Sequence, residues 1–164
     1  MSVSNYLFSG PDWFSVSQTQ REQLTAEIRG MDENQLLNTA PEDLVRYLAE
    51  KYSITVPELL EDRIEVSQRE IQIDVSQRPE RLIHDRREPF FVPGMEIAMR
   101  IPFTGEAVVF QISPTGLRMN TPRATIERDD LVIRVTGTEL TKECIENETN
   151  GTRNQVRSIL DTLR

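Results

Sequence analysis

A single cysteine, a single histidine and seven scattered glycines are the scarcest features of this 164-residue chain, and each shortage excludes something. With Cys144 alone, no disulfide can close within the chain, and a cysteine-based zinc site would lack its ligands. Cys144 falls on a helical face with Leu140, where a small buried hydrophobe is expected. His84 lies in Arg81-Leu82-Ile83-His84-Asp85-Arg86-Arg87, with cations on both sides. It reads as a surface side chain rather than a base, which would need a reaction partner within hydrogen-bond reach. The glycines form neither G-x-G-x-x-G nor G-x-x-x-x-G-K, so no phosphate-cradling loop is expected.

Long apolar runs are also missing. Nothing near Met1 combines a basic start with an apolar stretch, so no secretory signal is read. The longest nearly apolar segment, residues 89–93, is far too short to span a bilayer. The expected compartment is the cytoplasm, with no membrane partner. Asn147-Glu148-Thr149 and Asn150-Gly151-Thr152 match the glycosylation pattern, but a cytosolic chain would not meet that machinery. The acid pairs Glu42-Asp43, Glu61-Asp62 and Asp129-Asp130 sit where helix starts and turns favour acids. No catalytic residue, no metal ligand set and no cofactor site is therefore expected.

What is present suits a folded domain. A chain of this length buries roughly 70% of its unfolded surface without a metal or disulfide staple. Its apolar content of 37% is close enough to the globular norm to argue against wholesale disorder. The net charge of −8 favours solubility and disfavours unassisted contact with nucleic acid or an anionic membrane.

Residues 1–17 form an aromatic lead-in with Tyr6, Leu7, Phe8, Trp13 and Phe14. It is expected to pack on the domain surface, with a partner-binding arm as the alternative. Residues 18–62 read as helical. A first helix over 18–29 spaces Leu24 and Ile28 four apart, and a short second one over 32–38 opens with Asp32 followed three residues on by Gln35. Thr39-Ala40-Pro41-Glu42 opens a third, with Leu44, Val45, Leu48 and Tyr52 on one face. Thr55-Val56-Pro57-Glu58 repeats that start signal and predicts a short fourth helix through Leu59 and Leu60.

From 63 to 137 the rhythm is two. Ile64 and Val66 alternate in one phase, and Ile71, Ile73 and Val75 in the other, which predicts a bulge near Ser67 to Arg69. Met95 through Phe103 predict a second strand, and Val108, Phe110 and Ile112 a third. Leu117 and Met119 predict a fourth, Ala124 and Ile126 a fifth, and Leu131, Ile133 and Val135 a sixth. No helix separates these strands. The expectation is an α+β fold: short N-terminal helices, a six-strand antiparallel sandwich or partly open barrel, and a C-terminal helix over 138–164.

Two stretches stand out as candidate contact sites. Val156, Ile159, Leu160 and Leu163 form an apolar stripe about one heptad long. It is expected either to begin a longer coiled coil and pair with another copy, or to pack back on the chain itself. Arg78, Arg81, Arg86 and Arg87 are interleaved with Glu80, Asp85 and Glu88 and followed by Phe90. Guanidinium groups beside aromatics suit a nucleic-acid groove, whereas the interleaved acids suit a solvated loop whose arginines pair with the acidic helices.

Three runs carry a resemblance: Glu65-Val66-Ser67-Gln68-Arg69-Glu70-Ile71-Gln72-Ile73-Asp74-Val75, Ile101-Pro102-Phe103-Thr104-Gly105-Glu106 and Asn120-Thr121-Pro122-Arg123-Ala124. They resemble the N-terminal region of a family of uncharacterised bacterial proteins, over most of residues 40–164. In that family a long helical segment follows, and a restriction-endonuclease-like nuclease domain can come after it, in a setting that suggests defence against foreign DNA. The resemblance implies a non-catalytic accessory region, since none of the nuclease residues would fall within this chain. The function expected is an interaction or oligomerisation module, partnered by itself or another protein. The alternative is a nucleic-acid-binding or sensing module of a defence nuclease.

Overall fold

The computed structural model describes residues 6–81, 83, 85–114 and 121–164. Three helices come first: α1 (Trp13–Gly30), α2 (Glu33–Asn38) and α3 (Pro41–Tyr52). α1 starts five residues before the expected point because Asp12 caps it, its carboxylate accepting the Ser15 N–H at 3.1 Å. Pro41 sits in the first turn of α3, where its missing N–H costs nothing.

The fourth expected helix does not form. Glu58–Leu59 instead make a short strand, β1, followed by a 3-10 turn at Glu61–Arg63. Tertiary bonds override the local start signal. The Thr55 N–H goes to the Glu106 carboxylate at 2.9 Å, the Glu106 N–H returns to the Thr55 carbonyl at 3.0 Å, and Leu59 pairs with Phe103.

β2 (Glu65–Asp74), β3 (Phe91–Thr104), β4 (Thr125–Glu127) and β5 (Asp130–Gly137) complete a five-strand antiparallel sheet curled into a half-barrel. β3 is the spine. It pairs with β1 and β2 along one side and with β5 along the other, and β4 lies outside β5. The bulge expected near Ser67 to Arg69 is absent, for β2 and β3 stay in one register from Glu65↔Arg100 to Asp74↔Phe91. The change of phase is resolved by leaving Val66 out in solvent. The third expected strand is a 3-10 turn, Ala107–Gln111, which buries the adjacent Val109 and Phe110. Adjacent inward side chains suit a tight turn and not an extended strand. The strand expected at Leu117 and Met119 lies outside the described residues.

The chain closes with α4 (Lys142–Leu163), capped by the Thr141 hydroxyl, which accepts the Cys144 N–H. α4 runs unbroken through Gly151, which keeps a helix penalty of about 1 kcal/mol. Val156, Leu160 and Leu163 are buried against Ile101, Phe103, Leu131 and Ile133 of the sheet. Burial of each is worth about 1.5–3 kcal/mol. The N-terminal segment joins this core. The Phe8 N–H donates to the Phe110 carbonyl, and the two rings meet at 5.9 Å between centroids. Phe8 takes the left-handed conformation, φ 54°, which burial of its ring offsets.

Candidate interaction surfaces

The apolar stripe of α4 is occupied by the chain itself. Val156, Leu160 and Leu163 lie in the core, and Ile159 packs partly buried against it, so this stripe is not a free surface. Arg153 and Arg157 add ion pairs to Glu61, at 3.8 and 2.5 Å, which fasten the helix to the 3-10 turn before β2. Cys144 is half-buried with its Sγ 3.8 Å from a Glu148 carboxylate oxygen, a more polar setting than the apolar one expected.

The outer face of the sheet carries charge. Antiparallel register places Arg69, Glu96, Arg100, Glu127, Asp130 and Arg134 on one side of the pleat. Glu96 accepts from Arg69 at 2.7 Å and lies 3.8 Å from Arg134. Glu127 bridges Arg134 and Arg100, and Asp130 lies 3.8 Å from Arg100. The Arg134 hydrogen bond, helped by Arg100, holds the Glu127 carboxyl below the usual glutamate range. Three cations thus meet three anions, and the face is close to neutral. A pit of about 160 Å³ lies between Arg69, Arg100 and Arg134.

A cleft of about 820 Å³ opens between β5 and α4, lined in part by Tyr6, Arg123, Arg134, Glu148 and Thr152. The Arg123 guanidinium stacks 5.1 Å over the Tyr6 ring and donates to its hydroxyl at 2.7 Å.

The segment between β2 and β3 holds the arginines singled out in the sequence. β3 loses its β5 partner beyond Met95, so residues 71–74 and 91–94 form a two-stranded ribbon that projects about 13 Å past the sheet. Asp74 closes the ribbon's neck. One carboxylate oxygen accepts the N–H of Ser76 at 2.9 Å and of Phe90 at 3.1 Å. The Ser76 donor, aided by Phe90, holds this carboxyl below the usual aspartate range. Beyond it, Arg78 and Arg81 follow in successive turns, Arg78 N–H to Val75 carbonyl and Arg81 N–H to Arg78 carbonyl. The Gln77 amide donates to the Arg86 carbonyl and the Arg86 guanidinium to the Arg81 carbonyl. His84 lies outside the described residues.

The acidic helices do not neutralise this tip. Among the described residues, Arg78, Arg81, Arg86 and Arg87 form no ion pair. The Asp85 carboxylate accepts the backbone N–H of Arg87 instead of a guanidinium. Phe90 and Phe91 are both about half exposed beside them.

The helical segment is the feature that sequence reading missed. α1 and α2 bury no side chain and α3 buries only Leu48. α1 and α3 are clasped at their far ends, where Glu27 accepts from Lys51 at 2.7 Å and from the Tyr52 hydroxyl. Those donors, Lys51 first, hold the Glu27 carboxyl below its ordinary range, and the same bonds raise Lys51 and Tyr52. Phe14, Ile28, Leu36, Leu37, Val45 and Tyr47 remain exposed, Leu37 at 82%. Ile28 and Val45 fell at core-like positions of ordinary amphipathic helices in the sequence, which hid the patch, while Phe14 lay in the lead-in for which a partner-binding arm was the alternative.

Among the described residues, no group of three or more His, Cys, Asp or Glu is placed to hold a metal ion, and no helix is long and apolar enough to cross a membrane. Comparison with family models, curated proteins and solved structures finds no match for this chain.

Proposed function

We propose that this chain is a non-catalytic interaction and self-association module whose working surface is the helical arm α1–α3. One observation carries the reading: 40 residues of helix and turn, Trp13 to Tyr52, bury a single helical side chain, Leu48, and leave six large apolar ones in solvent. Exposed apolar area on that scale is a common mark of an association surface. A second copy is the simplest partner, because the same residues would then cover each other in a two-fold contact.

Sedimentation velocity over a wide concentration range tests this. The wild-type chain should assemble as concentration rises, and a Leu37→Glu, Val45→Glu variant with unchanged circular dichroism should stay monomeric. A wild-type chain that remains monomeric at the highest concentration would rule out self-association through the arm.

A further inference from the structure

We infer that the β2–β3 ribbon is a separate binding finger for single-stranded nucleic acid. Arg78, Arg81, Arg86 and Arg87 would contact phosphates, and Phe90 and Phe91 would stack on bases. This inference concerns a different surface from the helical arm and stands or falls independently of it.

Charge complementarity is the first argument. The chain as a whole is acidic at −8, yet four guanidinium groups are gathered within ten residues at one projecting tip. A cation needed only for solubility would sit well beside one of the surplus carboxylates. Among the described residues none of these four lies within ion-pair distance of a carboxylate, although Glu80, Asp85 and Glu88 are interleaved with them, while on the neighbouring sheet face Arg69, Arg100 and Arg134 are each matched to an acid. The tip's guanidinium groups therefore stay available to an outside anion with several charges. Counterion release makes a run of phosphates the favoured one.

The two phenylalanines are the second argument. Phe90 is 50% and Phe91 58% exposed, successive residues at the ribbon's neck. Exposed aromatics alone would suit a protein partner. Exposed aromatics next to unpaired arginines supply the two contacts a single strand needs, a stacking surface and a phosphate clamp. A duplex hides its base faces and would use only the second.

Order is the third. The Asp74 carboxylate fixes the Phe90 N–H, Val75 donates to the Phe90 carbonyl, and the Gln77 and Arg86 side chains bind backbone across the loop. The backbone that carries the arginines and Phe90 is thus held before any ligand arrives, which lowers the entropic cost of binding.

Fluorescence anisotropy with a labelled oligothymidylate and a labelled duplex of equal length, at low and rising salt, decides the matter. The wild-type chain should bind the single strand more tightly than the duplex. If all four arginines engage phosphates, the affinity should fall with a log–log salt slope of about −3. Arg81→Ala, Arg86→Ala, Arg87→Ala should weaken binding at least about tenfold and flatten that slope. Phe90→Ala, Phe91→Ala should weaken single-strand binding about tenfold and leave the slope unchanged. Thermal melts check that both variants fold; apart from half-buried Arg81, the side chains removed are exposed. Absence of binding at low salt overturns the inference, as does equal or tighter binding of duplex, or binding indifferent to both variants. A Leu37→Glu, Val45→Glu variant that no longer self-associates but still binds the single strand would show that the two surfaces are separate. Loss of strand binding in that variant would overturn their independence.

Discussion

Replacing Leu160 by alanine deletes the branched end of a side chain that is 2% exposed and enclosed between α4 and the sheet. The lost transfer term is about 2.4 kcal/mol, at about 0.8 kcal/mol for each buried carbon removed. The cavity left between two regular elements adds to it, because neither the helix nor the paired strands can collapse freely. The expected loss is about 3 kcal/mol, within the range of about 2–5 kcal/mol found for such truncations. In a urea titration with an m-value near 2 kcal/mol/M, that loss lowers the midpoint by about 1–2 M. Ser158→Ala, two residues away on the exposed face, should stay within about 0.5 kcal/mol of wild type. The difference between the wild-type and Leu160→Ala midpoints should not change with protein concentration, because the contacts removed lie within one chain. A loss under about 1 kcal/mol, or a difference that grows steeply with concentration, would refute the intramolecular packing of the stripe.

Two further outcomes follow from named contacts. Glu27 has its folded pKa depressed, so the clasp it forms with Lys51 and Tyr52 is at full strength above the ordinary glutamate range and is lost as pH falls through the lower folded value. Amide exchange at the α1 and α3 ends should rise on acidification, and Glu27→Gln should remove that dependence; an unchanged profile in the variant would assign it to another group. Gly105 has φ +88°, and a Cβ there would stand 2.9 Å from the Pro57 Cα, so Gly105→Ala should cost at least about 1–2 kcal/mol in thermal unfolding. A neutral result would mean that the turn over β1 can relax.

Where a strand's alternation agreed with its long-range pairing, the sequence foretold it. Met95 through Phe103 and Leu131 through Val135 are strands, and Ile97, Ile101, Phe103, Leu131, Ile133 and Val135 of their inward set are buried, as are Ala98 and Val132 on the other face. Val108, Phe110 and Ile112 alternate equally well, yet Val109 between them is fully buried. A rhythm of two over five residues also fits a 3-10 turn tucked under a sheet, and local pattern cannot separate the cases. The start signal at Thr55 failed for a different reason. Its donor and acceptor were taken by Glu106, 51 residues away in the chain.

The contact surfaces were half legible. The arginine cluster could be read directly, but that it stayed unpaired depended on where the acids went, which only the fold decides. The α4 stripe could be read too, with two destinations that spacing does not distinguish. Helices α1 and α2 were foretold but their exposure was not, because a sequence shows which residues are apolar and not which of them lack a neighbour.

The balanced charges on the outer sheet face restrict how this protein can drift. Arg69, Arg100 and Arg134 share Glu96, Glu127 and Asp130 so closely that no one of the six has a private partner to lose. Replacing Glu127 alone would weaken two guanidinium groups at once, leaving Arg134 with Glu96 and Arg100 with Asp130, each at 3.8 Å, whereas exchanging it together with Arg134 would leave Arg69 and Arg100 each with one partner. Substitution on that face should therefore proceed in coupled steps, and diverged sequences should keep the lattice whole or have exchanged it in blocks.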